Sequence, residues 1–305
     1  MTDLQVRRPR FDFTDDVPFV WNPRNPAFSF SMNATSILAI GFEQMIVAAV
    51  TEAKPLITDP AVAEEATAFL RQEAQHSASH RKHVMALIKR YPGLQKAFDD
   101  SLALFDEVTA TRSLEFRLAY VADLEATFTP SFKLMLDNSD VLFRPGDDRV
   151  ASLFLWHFVE EVEHRSSALV IYDAVVGKRW YRIRALPGVV KHMLRVMEVI
   201  ADGVNEHVPF EDRQVDARTL LPSYGIRQSM RKLRPSGRDE ADAGPPAFAG
   251  VPLSQKLVAG VRVLLSQTPF HDPAEDRLPR FADEWFTRWD EGCDVAHWYG
   301  STVAG

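Results

Sequence analysis

Apolar residues recur three or four positions apart through most of this chain, the spacing that puts side chains on one face of an α-helix. Leu38, Phe42, Met45 and Ala49 mark a helix that begins near Ser31 and breaks at Pro55. A second opens at Asp59-Pro60, where aspartate suits the N-cap and proline the first turn, and runs to Tyr91-Pro92-Gly93. The period predicts a third helix from about Leu94 to Thr129, continuing past Pro130 to Leu136. The stretch NSDVLFRPGDD reads as a loop, and a fourth long helix follows from about Asp148 to Val176. Downstream, residues 187–208, 214–233, 253–265 and 281–289 carry helical periodicity. No strand-like alternation of useful length occurs. The expected fold is all-α, a four-helix bundle with additional C-terminal helices.

Punctuation divides the chain. Pro9, Pro18, Pro23 and Pro26 among aromatics make residues 1–30 an extended N-terminal arm. Residues 31–234 form the helical bundle with its added helices. PSGRDEADAGPPAFAG, 235–250, has the composition of a flexible linker, and 251–305 is a helical appendage packing on the bundle.

Composition narrows the function. With 305 residues and 46% of them hydrophobic, the chain can bury a sizeable core. A net charge of -7, with Arg8, Arg10, Arg231, Lys232 and Arg234 scattered, argues against nucleic acid as a partner. Cys293 is the only cysteine, so a metal site must be built from His, Glu and Asp. The first residues lack the apolar core of a secretory signal, and no segment reaches roughly 18 uncharged apolar residues. A cytoplasmic protein is expected. The segments at 187–207 and 253–265 are apolar enough to touch a membrane. They are expected instead to cap the bundle, since Lys191, Arg195 and Glu198 break up a lipid-facing stripe.

The chemistry sits in two short runs. FLRQEAQHSASHRKH carries Glu73-x-x-His76, and LFLWHFVEEVEHRSS carries Glu161-x-x-His164 with His157 one turn earlier. A helix turns about 100° per residue, so each set shares a face. Bundled di-metal sites add one carboxylate from each of two further helices. Glu43 lies mid-stripe among Ala39, Ile40, Ile46, Val47 and Val50, and Glu125 among Leu118, Val121, Phe128 and Phe132. An unpaired carboxylate in a core-facing stripe costs several kcal/mol, so each should have a partner. Four carboxylates would neutralise two divalent cations. The candidate ligands are Glu43, Glu73, His76, Glu125, His157, Glu161 and His164. Glu160 rivals Glu161, being one turn from His164, while Glu163 points away. His80 is a further donor or an alternative ligand, and His83 is expected on the helix surface.

The order Glu43, Glu73-x-x-His76, Glu125, His157-x-x-x-Glu161-x-x-His164 resembles the ligand pattern of ferritin-like di-iron oxygenases. The extra His157 looks like the third histidine of the arylamine N-oxygenases. The wider phrasing, with WHFVEEVEHRSSALVIYDAV and RWYRIR, is similar over most of residues 20–230 to a bacterial family labelled predicted metal-dependent hydrolase. The first resemblance implies two iron ions, with manganese or zinc as substitutes. It assigns Glu43, Glu73 and His76 to one iron and Glu125, His157, Glu161 and His164 to the other. It also implies O2 and a small organic substrate as reactants, an electron-donor protein as a partner, and leaves a homodimer open. Two other readings use the same residues: a di-metal hydrolase, and a non-catalytic metal-binding or oxygen-sensing bundle.

Overall fold

A computed structural model describes residues 4–221 and 245–300. Those residues are helical with connecting loops, and no strand occurs among them. Helix α1 spans Pro26–Ala53, α2 Pro60–Arg90, α3 Leu94–Thr111, α4 Leu114–Asp137, α5 Ser139–Leu142 and α6 Asp148–Glu163. Then come α7 Ser167–Val175, α8 Arg179–His207, α9 Phe210–Arg213, α10 Leu253–Ser266 and α11 Arg280–Asp290.

Helices α1, α2, α6 and α4 close a ring in which each packs on two neighbours. This is the core bundle. Helices α3 and α8 pair with each other and cover α1 and α4, while α7 lies on α4 and α2. Helix α10 rests on α4, and α11 on α4 and α6. Local chemistry sets the starts. Asn25 accepts from Phe28 N at 2.9 Å with Pro26 in the first turn, so α1 begins earlier than the period from Ser31 suggests. Asp59 caps α2 through Ala61 N as expected. Helix α1 is long and apolar enough to cross a membrane by composition once a charge or two is allowed. Its most apolar window is 72% buried within the protein, however, as befits a helix that is hydrophobic on nearly all sides.

The arm before Asn25 lies on the bundle, with Phe11, Val17, Phe19 and Trp21 buried. Trp21 stacks against Phe143 and Phe154, and Asn33 ties Phe19 O at 2.8 Å.

Three expected helices are corrected. The third is two: the backbone turns extended at Arg112 (ψ 148°), and Ser113 caps α4 through Phe116 N. The fourth is also two, because α6 ends at Glu163 and His164 is its C-cap (φ -89°, ψ 15°). Between 214 and 233, Gln214 takes a left-handed φ of 55° and only a 3-10 turn at Ala217–Leu220 follows. The rest of that expected helix, and residues 235–244 of the expected linker, lie outside the described residues. Helix α10 does not cap the core as expected. Only Ala259 and Ser266 of it are buried.

Candidate metal centre

The four bundle helices each aim carboxylate or imidazole groups at one buried point. Glu43 comes from α1, Glu73 and His76 from α2, Glu125 from α4, His157 and Glu161 from α6, and His164 from the residue that ends α6. All seven candidates converge, and every one is buried. Glu161 is the hub. Its oxygens lie 2.9 Å from His157 Nε2, 3.5 Å from His76 Nδ1 and 3.3 Å from His164 Nε2. His164 Nε2 also stands 3.3 Å from Glu73 and 3.5 Å from Glu125. Glu43 stands 3.5 Å from His157 Nε2.

One residue sits on a different side from the expected assignment. His157 belongs with Glu43 and His76, its ring centroid 4.4 Å from that of His76. Glu125 and His164 form the other side; Glu73 reaches both, standing close to Glu43 and His76 as expected and 3.3 Å from His164, and Glu161 lies between.

Each ring is tied on its outer nitrogen, leaving the inner one for the centre. His76 Nε2 meets Glu160 at 2.9 Å, and His164 Nδ1 meets Gln72 Oε1 at 3.0 Å. His157 Nδ1 meets His80 Nε2 at 2.7 Å. Such outer partners fix a ring's tautomer and direction. They are held in turn. Arg7 donates to Glu160 and grips Glu163 through two nitrogens at 2.8 and 3.0 Å. Gln72 donates to the same Glu163. Ser36 Oγ bridges His80 Nδ1 and His83 Nδ1, both at 2.9 Å. His83 is therefore fully buried rather than on the helix surface. Arg7, Ser36, Gln72, Glu160 and Glu163 escaped the sequence reading as supporting residues. The run Glu160-Glu161-Val-Glu163 beside a histidine was the available signal.

Eight polar atoms in this cluster are buried without a hydrogen-bond partner: both oxygens of Glu43 and of Glu73, Glu125 Oε1, Glu161 Oε2, His76 Nδ1 and His164 Nε2. Buried polar groups are normally satisfied, so their convergence fits cations bound among them. Overlapping triplets lie close enough to share an ion, among them Glu43, Glu73 and His76, and Glu73, Glu161 and His164. His80 joins Glu43 and His157 in a further one.

Without metal, protons take the place of cations. Burial, with the neighbouring carboxylates, pushes Glu43 and Glu125 well above the usual range and Glu73 up to about 7. Burial also opposes charge on Glu161, but His164, His157 and His76 outweigh it and hold that carboxyl well below normal. Burial would discharge His76 and His164. Glu160, Glu161 and Glu73 raise His76 to about 10 instead, and Glu161 with Glu125 keeps His164 well above its ordinary value. His157, desolvated and facing His76, falls to about 4.

A cavity of about 110 Å³ adjoins the cluster. Glu43, Glu73, Glu125, His157 and Glu161 form its polar edge, while Leu38, Ala39, Phe42, Phe128, Phe132 and Met193 with Thr35 form the rest.

An all-helical protein with a buried His/Glu cluster able to hold metal is the class these observations define. The family model described as predicted metal-dependent hydrolase matches residues 5–235, and the chain belongs to that family. Comparison with curated proteins and with solved structures finds no match.

Proposed function

We propose that this protein is a di-iron oxidase or oxygenase that reduces O2 at the Glu/His centre and oxidises a small, largely apolar organic substrate. The observation that carries the reading is the set of eight unpartnered buried atoms, six of them carboxylate oxygens of residues that line an apolar cavity. Glu43, His76 and His157 would hold one ion and Glu73, Glu125 and His164 the other, with Glu161 placed to serve both. Mixed carboxylate and imidazole donors suit iron or manganese, and imidazoles suit zinc as well. When bound, iron would supply the electrons that pass to O2.

The chain's own residues do the rest. Glu160, Gln72 and His80 direct the three rings inward. Phe42, Phe128 and Phe132 keep water from the centre and offer a substrate apolar contact. The cavity lining includes no lysine or arginine to grip a phosphate or carboxylate, which favours an uncharged substrate over an anionic ester. His157 makes N-oxygenation the reaction to try first. The electrons come from a separate donor protein.

A second reading, metal-dependent hydrolysis at the same residues, is favoured by the family's description. One experiment separates them. Metal-free protein is loaded anaerobically with Fe(II), assayed for iron per chain, then exposed to air while O2 is followed. Two irons per chain and O2 uptake that Glu161→Ala abolishes are expected. Ester hydrolysis by the zinc-loaded protein, with no O2 uptake by the iron form, would establish the hydrolase instead. Two irons bound with neither activity would leave a non-catalytic metal protein.

A further inference from the structure

Helix α10 is turned inside out. Leu253, Leu257, Val258, Val261, Leu264 and Leu265 are all more than half exposed, while the small residues Ala259 and Ser266 face the body. Phe270, just beyond the helix, is 77% exposed. At about 100° per residue the six aliphatic residues fill an arc of about 140°. Arg262 flanks that arc on one side and Lys256 on the other, each within about 60° of its edge. The helix carries no acidic residue in a protein of net charge -7. Val141 of α5, also exposed, lies beside Gly250 just before α10, and Asn138 at the start of α5 bonds Gln255. The nearby carboxylates Asp137 and Asp140 are paired with Lys133 and Arg144.

We propose that α10 is an interfacial helix that lies on an anionic membrane surface, its leucines and valines in the acyl boundary and Arg262 and Lys256 among lipid headgroups. Large exposed apolar faces mark interaction sites, and an apolar arc with cationic flanks is the pattern of helices that lie in the headgroup region. Charge decides between the candidate occupants. Pairing α10 with a second copy brings only cations along both flanks, whereas anionic headgroups complement them. The inference concerns a surface apart from the metal centre and stands whatever that centre catalyses.

The test is flotation of the full-length protein with phosphatidylcholine vesicles, with or without about 30% phosphatidylserine. Wild-type protein should float with the anionic vesicles and much less with the neutral ones. The double variant L257E/L264E, at positions 62% and 73% exposed, should lose binding at least tenfold while keeping wild-type circular dichroism and melting. K256E/R262E should lose most of the preference for anionic lipid. Absence of flotation by the folded wild type overturns the proposal. So does a concentration-dependent doubling of mass in solution, abolished by L257E/L264E, because it assigns the face to a second copy.

Discussion

Glu160 and Glu161 are neighbours with different tasks. Glu161 meets three imidazoles at the middle of the cluster, whereas Glu160 holds the outer nitrogen of His76 and is held by Arg7. Glu161→Ala should leave a soluble helical protein that binds less than half the wild-type metal by elemental analysis. Glu160→Ala should retain the site but weaken metal affinity by about 10–100-fold in competition titrations, the usual cost of losing an outer partner. Spacing made the inner residues legible: duplicated Glu-x-x-His and lone glutamates inside apolar stripes identify side chains that share a face. The outer ones were not, because they act across the fold: Ser36 on the His80 ring 44 residues away and Arg7 on the Glu160 carboxylate 153 residues away. Ser36→Ala would strand His80 and His83 together. It should destabilise the protein by about 1–3 kcal/mol, read as a lowered chemical-denaturation midpoint.

At the level of helices, periodicity located the bundle members and missed two breaks, the end of α3 and the end of α6. The apolar stripe runs on through Arg112-Ser113 and through His164, so nothing in its phase announces a break. Ser113 signals its own only as a cap, a weaker cue than a proline or glycine. Close helix contacts were likewise unreadable. Gly203 of α8 faces Ala97 of α3 so nearly that an added Cβ would collide with the alanine methyl. Gly203→Ala should therefore cost about 1–3 kcal/mol through overpacking. Gly260 on α10 meets nothing within 4 Å. There the same substitution should stabilise by about 0.5–1 kcal/mol, because alanine is the better helix former. Equilibrium urea unfolding of the two variants checks the opposite signs.

For the whole molecule, the centre links stability to pH and metal. In the metal-free protein His76 is raised from 6.5 to about 10, so its contribution is full below about pH 6.5 and is lost as pH rises towards 10. His164, also raised, acts in the same direction. Glu43 and Glu125, raised by burial, become costlier as they ionise, which adds to the loss. Melting temperature of the metal-free protein should therefore fall between about pH 7 and pH 10. Bound metal requires the ligands deprotonated, so the loaded protein should resist this loss. Free metal at about 100 times its Kd should add about 2.7 kcal/mol, which a chelator removes. Calorimetry with and without chelator across that range is the measurement.

Arg7, near one end of the chain, lies against the rings of Phe286 and Trp285 near the other, 4.5 and 5.9 Å from their centroids. On a ribosome these partners emerge far apart in time. The seven inner side chains all leave the exit tunnel before residue 165, well ahead of the helix that covers the arginine. The clasp of Arg7 on Glu160 and Glu163 can thus close before α11 is made, and the C-terminal helix arrives last to shield it.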